Sequence, residues 1–178
     1  MEPARPPLTA ERVIELAAGI RQASRAGTVV ALGEICSAGE EEFLALAAAQ
    51  GIEDIAALRR DGRSYFYSEP HMTRGYAEMA ALAASNDPLQ AIAETVRSDS
   101  LTYPRPTPVA VFMEPPFSIS AESVSAALDR LAADARFRDV RPVTASDGSR
   151  FLFSSNHLDP ARAASMAEWL AVGRRENP

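Results

Sequence analysis

The chain has 178 residues, 47% of them apolar, which is ample for a packed core in one domain or two small ones and excludes a disordered tail. Its 24 acidic residues outnumber 18 basic ones, and the formal charge of -6 opposes bulk attraction to a polyanion, although a local basic patch can still hold nucleic acid. A lone Cys36 excludes an internal disulfide and a cysteine-rich zinc site, so a reducing cytoplasm is the expected setting.

Residues 1–7 are proline-rich with no apolar run and are expected to form a disordered lead. Thr9 is placed to cap a first helix whose Val13, Leu16, Ala17, Ile20 and Ala23 fall on one face. Thr28 to Leu32 follows as a short strand. Ser37-Ala38-Gly39-Glu40 matches a capping box and predicts a helix from about Gly39 to Gln50, with Phe43, Leu44, Leu46 and Ala47 inward. Asp54 to Arg59, the Asp61-Gly62 turn signal and Ser64 to Ser68 predict a β-hairpin, because Asp-Gly suits the primed turn that matches strand twist. Thr73 then caps another helix bearing Tyr76, Met79, Ala80 and Ala83.

Asp87-Pro88 opens a helix with Leu89, Ile92, Ala93 and Val96 on one face and Gln90 at the capping-box position. Tyr103 to Pro108 must be extended, since each proline fixes its own φ and biases its predecessor. Val109 to Phe112 reads as a strand, and Pro115-Pro116 as a turn. A helix from about Ala121 to Ala135, a hairpin from about Asp139 to Ser154 with Asp147-Gly148 at its tip, and a helix capped by Asp159 complete the order. No segment offers the roughly 18 uninterrupted apolar residues of a membrane span.

Between Asp61 and Ala81, six of 21 positions recur identically 86 residues later: Asp61, Gly62, Ser68, His71, Ala77 and Ala81 match Asp147, Gly148, Ser154, His157, Ala163 and Ala167. Tyr65, Phe66, Tyr67 and Met72 keep their character in Phe151, Leu152, Phe153 and Leu158. The repetition predicts an internal duplication, with one unit over residues 8–85 and another over residues 86–178. The order of helix, short strand, helical segment, two-stranded wing and helix resembles the winged-helix fold. That resemblance implies an α+β protein of two winged-helix-like α-β-α-β-β-α units. The second helix of the usual helix-turn-helix would fall at Gly33 to Ser37 in the first half, while Pro115-Pro116 leaves little room for it in the second.

A winged helix would ordinarily lay its third helix in the major groove, where cationic and amide side chains read base edges. Here that helix begins Glu40-Glu41-Glu42 and carries no cation. The basic cluster that survives is Arg59, Arg60 and Arg63 at the first hairpin tip, beside Tyr65 and Tyr67; it could meet a carboxylate-rich protein or a phosphate backbone, and a solvated turn also explains it. His71 and His157 could serve a metal only with further ligands, and a hydrogen-bonding role at the start of a helix suits them better. Cys36 reads as a small buried residue. No pair of carboxylates has acid-base spacing, and no glycine-rich nucleotide loop occurs. The expectation is a non-enzymatic accessory protein without cofactor that binds another protein or itself; the alternative is a DNA-binding regulator using Arg59, Arg60, Arg63 and Arg105.

Overall fold

A computed structural model of the chain describes residues 8–31, 33, 39–85 and 87–173. The disordered lead expected over residues 1–7, the Ser37 cap, the Gly33 to Ser37 helical turn and Cys36 fall wholly or mostly outside these residues. The protein is α+β, and its chain divides into two compact units, Met1–Ala84 and Ser85–Pro178.

In the first unit, α1 (Ala10–Arg25) starts at Thr9, whose side chain accepts from the Arg12 amide. Its buried face is Val13, Leu16, Ala17 and Ile20, at the three-and-four spacing that puts side chains on one stripe. After β1 (Val30–Ala31) comes α2 (Glu40–Ala49), which starts at Gly39 without a side-chain cap bond. Glu40 bonds Arg59 and Ser64. Strands β2 (Ile55–Arg60) and β3 (Arg63–Ser68) pair antiparallel, and β1 joins the far edge of β3 in the order β1-β3-β2. Asp61 and Gly62 have φ of 50° and 74°, the two left-handed residues that a tight primed turn requires.

The sheet is covered on both faces, which is why Tyr65, Phe66 and Tyr67 are all apolar. Phe66 meets α1 and α2, touching Phe43 edge to face at 5.0 Å, together with Ile20 and Ile55. On the other face Tyr65, Tyr67 and Leu58 pack on Met72, Ala77 and Ala81, the last two from α3 (Arg74–Ala83). Thr73 caps α3 through the Tyr76 amide, and buried Met72 sits one residue before that cap.

The second unit uses the same order of strands. Helix α4 (Pro88–Thr102) is capped by Asp87, whose carboxylate accepts from the Leu89 and Gln90 amides, while Gln90 turns its side chain to Glu94. Strand β4 is only Thr107–Pro108. The strand expected over Val109 to Phe112 is instead a 3₁₀ turn, Val109–Met113, in which Phe112 is fully buried and meets Phe117 at 5.3 Å. β-Branched residues suggested a strand there, but the segment winds so that Phe112 alone is fully buried and Met113 is exposed. This turn stands just before Pro115-Pro116, where little room for a helical segment was expected.

Helix α5 (Ala121–Ala133), capped by Ser120, buries Val124, Ala127 and Leu131. A 3₁₀ turn (Ala135–Phe137) leads to β5 (Val140–Thr144) and β6 (Arg150–Ser154), with sheet order β4-β6-β5. The second Asp-Gly does not make a two-residue turn. Thr144 pairs with Arg150 across a longer loop closed by the Ala145 amide on the Ser149 carbonyl and the Gly148 amide on the Ala145 carbonyl. Gly148 alone takes a left-handed φ, 86°, the position glycine fills in a bulged hairpin. Helix α6 (Pro160–Glu168), capped by Asp159, covers Phe151 and Phe153 with Ala167 and Ala163, and a π-helical turn (Trp169–Gly173) extends it.

Candidate functional site

The same four side chains tie helix to hairpin in each unit. In the first, Arg21 on α1 grips the Asp54 carboxylate with Nε at 2.8 Å and with Nη2. Ser68 Oγ donates to the same carboxylate at 2.9 Å, and the Ser68 amide donates to Ser24 Oγ at 2.9 Å. In the second, Arg97 bonds Asp139 at 2.9 and 2.5 Å, Ser154 Oγ donates to Asp139 at 2.7 Å, and the Ser154 amide donates to Ser100 Oγ at 2.9 Å. Ser24, Ser68, Ser100, Ser154 and Asp139 are buried, and every polar group in the cluster has a partner. Hydrogen bonding to the guanidinium holds both Asp54 and Asp139 at a pKa of about 2 against burial, which acts the other way. These groups are engaged with one another and staple each helix to its hairpin.

The staple also accounts for the two histidines. The His71 and Met72 amides donate to the Ser68 carbonyl, and the His157 and Leu158 amides donate to the Ser154 carbonyl. Each histidine therefore lies in the turn that carries the chain from the hairpin to the next helix, with its ring exposed. Arg25 Nε donates to His71 Nε2 at 3.2 Å. Among the described residues no group of three His, Cys, Asp or Glu side chains converges as a metal site.

The hairpin-tip arginines are differently placed. Arg59 Nε donates to Glu40 at 2.7 Å, Ser64 shares that carboxylate at 2.6 Å, and the two lower the Glu40 pKa, Ser64 more than Arg59. Arg60 lies 3.7 Å from the Asp61 carboxylate, and Arg63 is exposed. Tyr65 and Tyr67, expected beside this cluster as contact residues, are 4% and 3% exposed. Their rings are spent on α3, so a partner at the tip would meet arginine and not tyrosine. Burial is also the main cause that raises the Tyr67 pKa.

The sequence did not point to a groove in the second unit. Val109, Ala110 and Met113 of the 3₁₀ turn, Val124 and Leu128 of α5, and Gly148 to Arg150 at the hairpin tip line an open cavity of about 430 Å³. Its lining is mostly apolar, and Met113 is 44% exposed within it. The signal was faint: Val109 to Phe112 reads as a strand in the sequence, and the structure winds it as a 3₁₀ turn that leaves Met113 exposed.

Residues 86–175 match the family described as the YdhW C-terminal domain, a match that contains the whole groove. Across 171 residues, 92% of this chain and 80% of the other, the chain is 33% identical to the uncharacterised protein YdhW of Escherichia coli (strain K12). No solved structure matches the chain.

Proposed function

The chain belongs to the YdhW family, and we propose that it is a non-enzymatic bacterial accessory protein that works by binding another protein. The observation that carries this reading is the open apolar groove of about 430 Å³ in the second unit, with Met113 left exposed beside Val109, Val124 and Leu128. An apolar surface that its own fold leaves uncovered is a place where a partner gains by excluding water. The most enclosed charges among the described residues, Asp139 with Arg97 and the partly buried Asp54 with Arg21, are matched pairs engaged with one another.

The repeated strand order and the repeated Arg-Asp-Ser-Ser staple support descent of the two units from one duplicated ancestor. A cytoplasmic location fits the sparse cysteine; no described helix is long and apolar enough to cross a membrane. Duplex DNA is disfavoured by the charge of -6 and by Glu40 occupying Arg59.

The reading predicts that affinity purification from the native host recovers a stoichiometric protein partner, and that this partner is lost from a Met113→Glu, Leu128→Glu variant that still folds. Salt-sensitive binding to duplex DNA that disappears on Arg59→Ala, Arg63→Ala, or turnover of a small molecule by the purified chain, would overturn it.

A further inference from the structure

We propose that the groove takes a short segment of its partner in which an apolar anchor stands beside a carboxylate, the anchor filling the cavity and the carboxylate meeting Arg150. This rests on the protein-binding reading above and adds the chemistry of what is bound. Within the groove, Arg150 is the one charged residue in a lining otherwise made of Val109, Met113, Val124, Leu128 and other uncharged groups. Elsewhere in the unit Arg97 is held by Asp139, Arg136 by Asp134, and Arg105 lies 3.6 Å from Asp99. Arg150 is exposed and has no ion pair among the described residues.

A wholly apolar occupant would strip water from that guanidinium and give nothing back, which costs more than its own burial returns. An occupant with a carboxylate replaces the lost water with a paired, charge-assisted contact, and the guanidinium fork matches a carboxylate in two parallel bonds. Ser125 and Ser149 add hydroxyls to the same lining. Glu114, Glu122, Asp129 and Asp147 adjoin Met113, Ala121, Leu128 and Gly148 in sequence, but none of the four lines the groove, where Arg150 is the charged group. A cavity of about 430 Å³ holds a few side chains, which suits the anchor of a short segment. A second copy of this chain is a poorer occupant, because two copies each carrying -6 repel.

The test is selection of short random peptides, displayed on phage, against the intact chain. The expected peptides share an Asp or Glu within a few residues of one or two large apolar side chains. Their affinity falls about tenfold or more in Arg150→Glu, and selection repeated on Arg150→Glu yields Lys or Arg in place of the acid. Arg150→Met and Met113→Ser, both at exposed positions, guard against an unfolded variant and also weaken binding. Peptides without an acid, or peptides indifferent to both positions, overturn the proposal. Peptides lost instead on Arg59→Ala, Arg63→Ala would move the site to the first unit and leave the protein-binding reading standing; no selected peptide at all would remove both. A dimer by sedimentation that dissociates on Met113→Glu would assign the groove to a second copy and overturn the proposal as well.

Discussion

Asp139→Asn is the sharpest perturbation of the second unit. The wild-type carboxylate accepts from Arg97 Nε, Arg97 Nη2 and Ser154 Oγ, and its side chain is 8% exposed. A carboxylate whose pKa falls from 3.8 to about 2 on folding gains about 2.4 kcal/mol at neutral pH. The amide keeps one acceptor of similar shape, and Arg97, 32% exposed, keeps the Arg136 carbonyl and water. The net loss is therefore expected at about 2 kcal/mol, somewhat below what is seen when a fully buried pair loses one member. Trp169 is the sole tryptophan and belongs to the second unit, so urea titration followed by its fluorescence reports this unit. Asp139→Asn should lower the midpoint accordingly, and the coupling with Arg97→Met in a double-mutant cycle should account for most of the change. The depressed pKa also fixes a pH signature. The stabilisation is complete above about pH 4 and drains away as pH falls through about 2, so the wild type should lose stability over that span while Asp139→Asn loses less. Equal midpoints for the two proteins, or equal acid sensitivity, would refute the staple.

The other predictions concern the same architecture and the groove. Asp54→Asn should repeat the acid signature in the first unit with a smaller loss, since Asp54 is 24% exposed and more of its pairing is screened; far-UV circular dichroism during titration reads it. Ser24→Ala and Ser100→Ala each strand a buried amide, that of Ser68 or Ser154, and should each cost about 1 to 3 kcal/mol, with faster hydrogen exchange at the orphaned amide. Gly27→Ala should destabilise the first unit by about 1 kcal/mol or more, because its φ is 79° and the new methyl would lie 2.9 Å from the Tyr76 hydroxyl. Met113→Glu should leave the melting temperature within a few degrees of wild type, because that side chain is exposed and packs no core.

The elements with strong local signals were legible. Thr9, Thr73, Asp87 and Asp159 each cap the helix that their side chains announced, and Val13, Leu16, Ala17 and Ile20 are the core face their spacing predicted. The α+β architecture followed from the same punctuation. The staple was invisible because no single offset links its copies. Arg21 and Asp54 stand 33 residues apart, but Arg97 and Asp139 stand 42 apart, and Asp to Ser lengthens from 14 to 15 across the longer second turn. A comparison at one fixed spacing finds the hairpins and misses the helix that grips them. Asp147-Gly148 misled for the same reason, as the added residue converts a two-residue primed turn into a bulged loop around an unchanged dipeptide. The groove depended on the winding of Val109–Met113, which tertiary burial of Phe112 decides and local propensity does not.

The claim on which the account turns is that the groove engages another protein. It is tested most directly by placing a photo-crosslinking phenylalanine derivative at position 113 in the intact chain and irradiating living cells of the native host. The account predicts one dominant adduct with a different protein, joined through a segment bearing an acidic residue next to an apolar one, and its disappearance in Arg150→Glu. Adducts only with further copies of the chain, or an adduct pattern that Arg150→Glu leaves unchanged, would contradict it.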